Sequence, residues 1–279
     1  MSFLEQIHAT TKPIKAPWLG VIYGRGGCGK TWLAQYAPQP FFVPLERGVE
    51  KLPAGVGRFV DGSGQLLMPK TGQDFFEALS WFRGKNERIK TIVIDSGTSL
   101  NRIFEADIMV AQPTITVKKE TIPVTSIADY AFGEGYATLE QKWLKAMNFF
   151  ELLQNSGFNV LVLTHDQQKS VTLPTGEEAK EIQMALPSFG NYSISRLLET
   201  KSNFVYYMRS EKTTQTVKRF GSEKTIIKDS KPQTVLYTRS QGSFFAKSWA
   251  HNAGDIDDYY VLMQGDHDQY KQVFADIDK

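Results

Sequence analysis

The sequence is poor in cysteine, has no long apolar run and carries no excess of charge of either sign. Cys28 is the only cysteine among 279 residues, so no intrachain disulfide can form. Four scattered histidines and that one cysteine show no spacing typical of a zinc site. No apolar run approaches the roughly 20 residues of a membrane-spanning helix, and the opening MSFLEQIHATTKPIK lacks a signal-peptide core. We therefore expect a cytoplasmic protein that has no membrane partner.

The charges nearly cancel, with 32 basic and 30 acidic residues and a formal net charge of +2. This balance excludes a histone-like polybasic protein, although it does not exclude a local basic patch. Hydrophobic residues make up 41% of the chain, which is ordinary for a globular protein. The length suits one large α/β domain or two small ones, with ample apolar residues for a core.

Apolar segments of strand length alternate with segments of helical periodicity along most of the chain. The strand candidates are 18–23, 41–45, 91–95, 159–165, 204–208, 217–220, 235–238 and 244–249. The helix candidates are 31–36, 74–85, 98–110 and 138–155. Two polar stretches without periodicity, 111–135 and 166–190, are predicted to be irregular loops. Because strands that alternate with helices build parallel sheets, we predict an α/β fold with a mainly parallel sheet and antiparallel strands added in its C-terminal part.

The strongest motif is a phosphate-binding loop between the first strand and the first helix. It matches G-x-x-x-x-G-K-[ST] without a mismatch, through Gly24, Arg25, Gly26, Gly27, Cys28, Gly29, Lys30 and Thr31. The glycines let backbone N–H groups converge on phosphate oxygens, and the following helix adds its positive N-terminal end. Lys30 would reach the β- and γ-phosphates, and the Thr31 hydroxyl would bind Mg²⁺. The motif therefore predicts ATP and Mg²⁺ as ligands, with Cys28 a small residue that the loop tolerates.

Polar side chains end three of the predicted strands at the sheet edge where this loop lies. Asp95 follows four apolar residues in TIVID and suits a second ligand of Mg²⁺. Glu46 follows the second strand and either polarises the water that attacks the γ-phosphate or pairs on the surface with Arg47 or Lys51. His165 ends a later strand and either contacts the γ-phosphate or is a hydrogen-bonded structural residue.

The order of these parts resembles the RecA-like ATPases, and among them the phage-encoded proteins that include single-strand annealing ATPases. The resemblance covers about residues 17–250. It rests on GRGGCGKT (24–31), PLERG (44–48), TIVIDSGTSL (91–100), ADYAFGEGY (128–136) and NVLVLTHDQQK (159–169). It implies a RecA-like ATPase domain with helices on both faces of the sheet. An N-terminal extension at 1–16 would precede this domain, and an acidic C-terminal tail at 251–279 would follow it.

The resemblance also implies roles for residues of the active site. Glu46 would be the base that activates water, beside Lys30 and Asp95 in the catalytic set. His165 would sense the γ-phosphate and relay its presence to the stretch 166–190. That stretch and the stretch 111–135 would line the path of DNA.

The resemblance further implies an assembly of several copies. In RecA-like proteins a cation from the neighbouring subunit completes the active site. Arg239 in VLYTRS falls about where that cation lies, with Lys247 as a second choice. A homo-oligomer, ring or filament, is therefore expected, and a recombination or single-strand-binding protein is a further candidate partner.

Charge is distributed unevenly over the last third of the chain. Residues 196–247 contain eleven Lys or Arg against four Asp or Glu, a local balance of +7. Seven aromatic residues lie among them: Phe204, Tyr206, Tyr207, Phe220, Tyr237, Phe244 and Phe245. This pattern is typical of sequence-independent binding to single-stranded DNA, while a β-rich region with solvated lysines and core aromatics has the same composition. Residues 255–279 contain seven Asp and two Lys. This composition suits a solvated end, with Tyr259, Tyr260 and Leu262 docking on the body, or a mimic of nucleic acid, or a site for a basic partner.

Three functions are compatible with these observations. The leading hypothesis is a DNA-dependent ATPase that binds single-stranded DNA for annealing or strand exchange in phage-type recombination. The alternative is an ATP-dependent switch or loader that acts on a protein partner in replication or assembly, without stimulation by DNA. A small-molecule kinase would need a mobile lid with several arginines, whereas the arginines of this chain are scattered.

Overall fold

The computed structural model describes residues 16–85, 88–117, 119–172, 176–211, 214–219, 222–227, 233–248, 256–263 and 265–278. The first elements in chain order are β1 (Leu19–Gly24), α1 (Lys30–Ala34), β2 (Pro40–Pro44), β3 (Gly57–Arg58), α2 (Gly72–Ser80), β4 (Thr91–Asp95), α3 (Gly97–Ala111), β5 (Thr114–Val117), β6 (Glu120–Pro123), α4 (Glu134–Asn155) and β7 (Asn159–Thr164). The later elements are β8 (Asp166–Thr172), β9 (Glu178–Met184), β10 (Ser188–Phe189), β11 (Tyr192–Ser193), α5 (Ile194–Lys201), β12 (Phe204–Glu211), β13 (Thr214–Arg219), β14 (Ser222–Ile227), β15 (Gln233–Tyr237), β16 (Lys247–Ser248), β17 (Tyr259–Leu262) and α6 (His267–Ile277).

Nine strands form the main sheet. Eight of them follow the order β17-β15-β12-β1-β7-β4-β2-β3, and β16 also pairs with β12. The pairs from β12 through β1, β7, β4 and β2 to β3 are parallel. β15 and β16 run antiparallel to β12, and β17 runs antiparallel to β15. The predicted fold class, a mainly parallel sheet with antiparallel strands in the C-terminal part, is confirmed.

Helices cover both faces of this sheet. In β7, Val160 and Val162 face a core shared with α2, α3, α4 and α5, whereas Leu161 and Leu163 face a second core shared with α1 and α6. Each of these fully buried side chains contributes roughly 1.5–3 kcal/mol relative to its exposed state. Burial on both faces explains why the central strands are apolar runs and not alternating patterns, as expected of a parallel sheet.

The start of α3 is fixed directly behind the end of β4. The Ser96 hydroxyl accepts a hydrogen bond from the Ser99 backbone N–H at 3.2 Å and caps the helix. Gly97 follows, where an added Cβ would lie 2.9 Å from Val162. Deeper in the helix, Asn101 accepts a bond of 3.0 Å from the indole of the fully buried Trp143 in α4. These contacts hold the first turn of α3 against the sheet edge at which β4 ends.

Both stretches that were predicted to be irregular contain antiparallel hairpins. β5 pairs with β6 inside 111–135, and β8 pairs with β9 inside 166–190. The prediction of irregular loops is therefore wrong for these parts. The physical reason differs between the two hairpins. β8 is mostly polar and exposed and lacks the apolar alternation of a half-buried strand, whereas β5 and β6 have only four residues each, which is too short for their pattern to stand out in a polar stretch.

The acidic segment 251–279 is built into the sheet where the structure describes it. β17 pairs with β15, and α6 buries Tyr270, Val273 and Phe274 in the core beside α1. The Trp18 indole donates a hydrogen bond of 2.9 Å to Asp278 near the end of α6. These residues are a strand and a helix of the domain and not a solvated tail, because apolar side chains at helical spacing lie between the aspartates.

Two further expectations concern the ends of the predicted elements. The strand expected at 244–249 is the two-residue β16, since Phe244 and Phe245 instead lie in the segment that leads into it. The N-terminal extension at 1–16 lies outside the described residues, except for residue 16. None of the helices that the structure describes is long and apolar enough to cross a bilayer.

Candidate functional site

The phosphate-binding loop joins β1 to α1 at the edge where the parallel strands end. Gly24 lies opposite Met208 of β12, and a Cβ atom at Gly24 would be 1.9 Å from the Met208 carbonyl oxygen. Gly29, which precedes α1, has a φ of 103°, in the left-handed region that favours glycine. Gly27, with a φ of 80°, is a third such position. Backbone geometry therefore favours glycine at three positions of the motif, and the loop can expose its N–H groups to a ligand.

Lys30 is a buried cation inside this loop, with only 6% of its surface exposed. Its Nζ donates to the carbonyl oxygens of Gly24 at 2.6 Å and Arg25 at 3.1 Å, and lies 3.9 Å from Sγ of Cys28. Burial raises the pKa of the Cys28 thiol and keeps it protonated at neutral pH, so all three of these partners are uncharged. Because a buried ammonium is stabilised best by an anion, the loop is suited to phosphate.

Thr31 and Asp95 form the second part of the site. The Thr31 hydroxyl donates a hydrogen bond of 2.7 Å to Oδ2 of Asp95, which is 4% exposed at the end of β4. Burial, together with a smaller effect of the neighbouring Glu46 carboxylate, raises the pKa of the Asp95 carboxyl to about 6, although the Thr31 hydrogen bond opposes the shift. A hydroxyl and a carboxylate oxygen at this distance suit Mg²⁺, which prefers hard oxygen ligands. Mg²⁺ usually takes only one or two of these ligands from the protein, and the rest are water or phosphate oxygens.

Glu46 is held by three side chains beyond the end of β2. Its Oε1 accepts hydrogen bonds from the Ser96 hydroxyl and from the Ser99 hydroxyl at 2.8 Å, and lies 3.1 Å from Nε2 of His165. The bond to His165, followed by the two serine bonds, lowers the pKa of Glu46 to about 2 despite partial burial. Glu46 therefore carries a full negative charge at neutral pH, and its contacts are not with Arg47 or Lys51.

The two serines are site residues that sequence reasoning missed. Ser96 and Ser99 lie in the SGTS run directly after Asp95, and each donates to Glu46 across the gap between β4 and β2. A signal was available, because a hydroxyl that caps a helix behind a strand-end carboxylate points to the same sheet edge. The sequence does not say which carboxylate those hydroxyls meet.

His165 lies between the phosphate loop and the β8–β9 hairpin. Its backbone N–H donates to the Thr98 hydroxyl at 2.9 Å, and its carbonyl accepts from the Ala185 N–H at 2.8 Å. On the loop side, a Cβ at Gly26 would be 3.7 Å from Cε1 of the imidazole. The structure thus brings His165 to both Glu46 and the loop, and joins it to the hairpin through its backbone.

A family model described as an AAA domain matches residues 16–249 of the chain. The chain belongs to this AAA domain family. With its phosphate loop, this AAA-domain protein is a P-loop ATPase. It is similar to the crystal structure of a KaiC-like protein from the hyperthermophilic archaeon Pyrococcus horikoshii OT3, at 14% identity over 80% of this chain and 79% of that one, with a TM-score of 0.39. No curated protein matches the chain.

Arg239 is not brought to the nucleotide site of its own AAA domain. β15 runs antiparallel to β12, away from the edge at which Gly24 meets Met208, and Arg239 lies beyond its far end. The Arg239 guanidinium is 3.0 Å from Asp258, and both side chains are more than half exposed. Lys247, the second choice, lies in β16 opposite Val205 of β12, so it too lies back along the sheet from the edge at which Gly24 meets Met208. Either cation would have to act on the site of a neighbouring copy.

The aromatic residues of 196–247 belong mainly to the core of the AAA domain. Five of the seven are buried: Phe204, Tyr206, Tyr207, Tyr237 and Phe244. Phe245 packs partly buried against them, and Phe220 lies outside the described residues. Their interpretation as stacking surfaces for bases is therefore wrong for the five, because the strands that carry them lie inside the sheet.

Asp95→Asn tests the environment of the buried carboxyl. The folded-state pKa of about 6 lies above the ordinary value, so the folded protein favours the protonated carboxyl. The stability that this group contributes is complete below about pH 4 and is lost as the pH rises through about 6. Relative to wild type, the variant is therefore expected to gain roughly 2–3 kcal/mol of unfolding free energy as the pH rises from 4 to 7. Urea denaturation in EDTA at several pH values measures this difference. Parallel stability curves for the two proteins would show that the Asp95 carboxylate is not destabilised.

Proposed function

We propose that this ATPase hydrolyses ATP with Mg²⁺ and acts on single-stranded DNA in phage-type recombination, in annealing or strand exchange. The observation that carries the proposal is the convergence of Lys30, Thr31, Asp95, Glu46 and His165 at one sheet edge. The loop N–H groups and Lys30 would hold the triphosphate, while Thr31 and Asp95 would hold Mg²⁺, which neutralises charge on the β- and γ-phosphates.

Glu46 is proposed to orient and polarise the attacking water. In the reaction, the water oxygen bonds to the γ-phosphorus, the bond from that phosphorus to the bridging oxygen of ADP breaks, and ADP leaves with the electron pair. A carboxylate with a pKa of about 2 is a weak proton acceptor, so the water proton ends on the released phosphate. The serine bonds keep the Glu46 carboxylate in place while it does this.

A DNA partner is supported by charge and by chain topology. Residues 196–247 carry the local balance of +7. β12 continues past Met208 at the phosphate-loop edge, the chain forms the β13–β14 hairpin, and β15 then returns to the sheet. The hairpin therefore leaves the sheet at the edge that holds the nucleotide site. Basic residues in such an arm suit the sequence-independent contact of phosphates along a single strand.

A protein partner is the second candidate, and the hairpin next to His165 favours it. β8 and β9, with the turn between them, carry two lysines, Lys169 and Lys180. Against these stand four carboxylates: Asp166, Glu177, Glu178 and Glu181. This acidic balance is unfavourable next to a DNA backbone, whereas it suits a basic protein surface. In that case the chain is an ATP-dependent switch or loader whose turnover is indifferent to DNA.

A homo-oligomer remains part of the proposal. The ion pair of Arg239 with Asp258 is exposed, and exposed pairs of this kind contribute little stability, so Arg239 is available to a neighbouring copy at small cost. A ring or filament would place it beside the γ-phosphate of the next subunit, where a cation stabilises the charge that develops during hydrolysis.

Turnover with and without single-stranded DNA separates the two candidates. We expect DNA to raise kcat by about tenfold or more, and we expect DNA affinity to fall steeply between about 50 and 200 mM salt. ATP turnover and retention on an oligonucleotide measure these effects, and the mass of the same samples in solution gives the number of copies. Turnover indifferent to DNA, together with DNA retention indifferent to ATP, would favour the protein switch and exclude the DNA-dependent ATPase.

A further inference from the structure

Trp32 is a large aromatic side chain that lies open beside the phosphate-binding loop. It follows Thr31 directly in α1, and 40% of its surface is exposed. The next two residues, Leu33 and Ala34, are buried against the sheet. Successive residues of a helix differ by about 100° in direction, so Thr31 faces Asp95 while Trp32 lies on the outer surface of α1.

The indole contacts Tyr36, which lies two residues beyond the end of α1. The rings of Trp32 and Tyr36 meet at 73° with their centroids 6.3 Å apart. Tyr36 is in turn fixed to α6, through a hydrogen bond between its hydroxyl and Nδ1 of His267 and a ring contact of 5.2 Å with Tyr270. An edge-to-face contact of this kind leaves a face of the indole uncovered. Trp32 therefore presents a flat apolar surface whose orientation is set before any ligand arrives.

Its position relative to the phosphate site distinguishes Trp32 from the other exposed aromatic residues. Among the residues that the structure describes, the others are Trp81, Phe132, Phe189 and Tyr259, all on other elements. Glu46 and His165 mark the side on which the terminal phosphate would lie, beyond the hydroxyl of Thr31. A nucleotide in that orientation would direct its ribose and base away from those two residues, toward the side of the site on which Trp32 follows Thr31 in α1.

We propose that Trp32 stacks on the purine base of the bound nucleotide and supplies a substantial part of its affinity. This inference rests on the proposed function, because the phosphates must be held at Lys30 and Thr31 for the base to reach the indole. Stacking between a base and an aromatic side chain needs no hydrogen-bond partner. It can therefore take place on the exposed surface of α1, without an enclosed pocket for the base. The ligand class is a purine nucleoside triphosphate, bound by its phosphates in the loop and by its base on Trp32.

The variant Trp32→Ala separates the contribution of the base to nucleotide affinity from that of the phosphates. We expect its affinity for ATP to fall about tenfold, while its affinity for inorganic tripolyphosphate, which has no base, stays within about twofold of wild type. Trp32→Phe is expected to retain most of the ATP affinity because it keeps an aromatic face. Trp81→Ala is the matched control, since Trp81 is 42% exposed and lies at the end of α2, and it should change neither affinity. Calorimetric titration of the four proteins with both ligands measures this.

A spectroscopic measurement on the wild type gives an independent test. Stacking should quench tryptophan fluorescence when ATP binds but not when tripolyphosphate binds, and the ATP-dependent part should disappear in Trp32→Phe. Equal loss of both ligands in a folded Trp32→Ala, or unchanged ATP affinity, would overturn the stacking role. Wild-type protein that binds neither ATP nor tripolyphosphate would instead overturn the proposed function, so the two failures are distinguishable.

Discussion

Glu46→Gln is expected to lower kcat for ATP hydrolysis by about 10²–10³-fold, with ATP affinity within about twofold of wild type. The substitution keeps the size of the side chain and leaves an oxygen that accepts from Ser96 and Ser99. It removes the negative charge that the low pKa of Glu46 guarantees at neutral pH. Because the proposed role of that charge is to act on the attacking water and not on bound nucleotide, the loss should fall on kcat and correspond to about 3–4 kcal/mol of transition-state stabilisation.

The measurement compares steady-state turnover and equilibrium ATP binding for wild type, Glu46→Gln and a matched control. Glu50→Gln is that control. Glu50 is exposed on the 3-10 turn that follows Glu46, and the substitution removes the same charge from the same segment. It should leave both quantities unchanged. If Glu46→Gln keeps more than about a tenth of the wild-type kcat, the water-activating role is wrong. If ATP affinity falls in parallel with kcat, Glu46 instead acts on binding.

The strands and the loop that carry this site were predicted well from the sequence, because each of them depends on a local sequence signal. The strand 91–95 is β4 without a shift, and the loop at 24–31 lies between a buried strand and a helix as the motif requires. Apolar runs of strand length that end in glycine or a carboxylate carry this information directly. The long helix α4 was predicted too, although it starts four residues earlier than the periodicity indicates, at Glu134 behind the left-handed Gly133.

The contacts within the site could not be predicted in the same way, since they depend on the order of strands in the sheet. Glu46 meets His165 across 119 residues of sequence because β2, β4 and β7 are neighbours. Periodicity shows that each strand is buried, but it does not show which strands are adjacent. A surface pair with Arg47 or Lys51 therefore stayed open as an alternative for Glu46 until the sheet order was known.

The exposed hairpins and the final strand and helix show a different failure. β8 has mostly polar, exposed residues, and β9 has mostly polar residues of which only Ile182 and Met184 are large and apolar, so the period-2 signal of a half-buried strand is weak. In α6, seven aspartates in the surrounding segment suggested solvation, while Tyr270, Val273 and Phe274 supply the buried face. Composition averaged over a segment conceals an amphipathic helix, whereas the spacing of its apolar residues reveals it.

Lys30→Ala is expected to lower kcat/KM for ATP by about 10³-fold or more, through weaker binding and slower hydrolysis together. Lys30 is the buried cation whose described partners are two carbonyl oxygens and a thiol, and all of these are neutral. Phosphate oxygens are its natural counter-charge, both in the bound nucleotide and in the transition state. Removing the ammonium should therefore affect both kinetic parameters, in contrast to Glu46→Gln.

Stability separates this effect from a folding defect. The alanine variant removes a buried charge, and with it the attraction to the Asp95 carboxylate and two hydrogen bonds to carbonyl oxygens. These effects oppose one another, so the variant should remain folded, with an unfolding free energy without nucleotide within about 2 kcal/mol of wild type. ATP should raise the melting temperature of wild type but not of the variant, because only a protein that binds ATP is stabilised by it. Lys51→Ala, at an exposed position on the turn after Glu46, is the control and should behave as wild type. A folded Lys30→Ala that retains ATPase activity would show that hydrolysis takes place elsewhere, and the assignment of the loop, Asp95 and Glu46 to one catalytic site would fail with it.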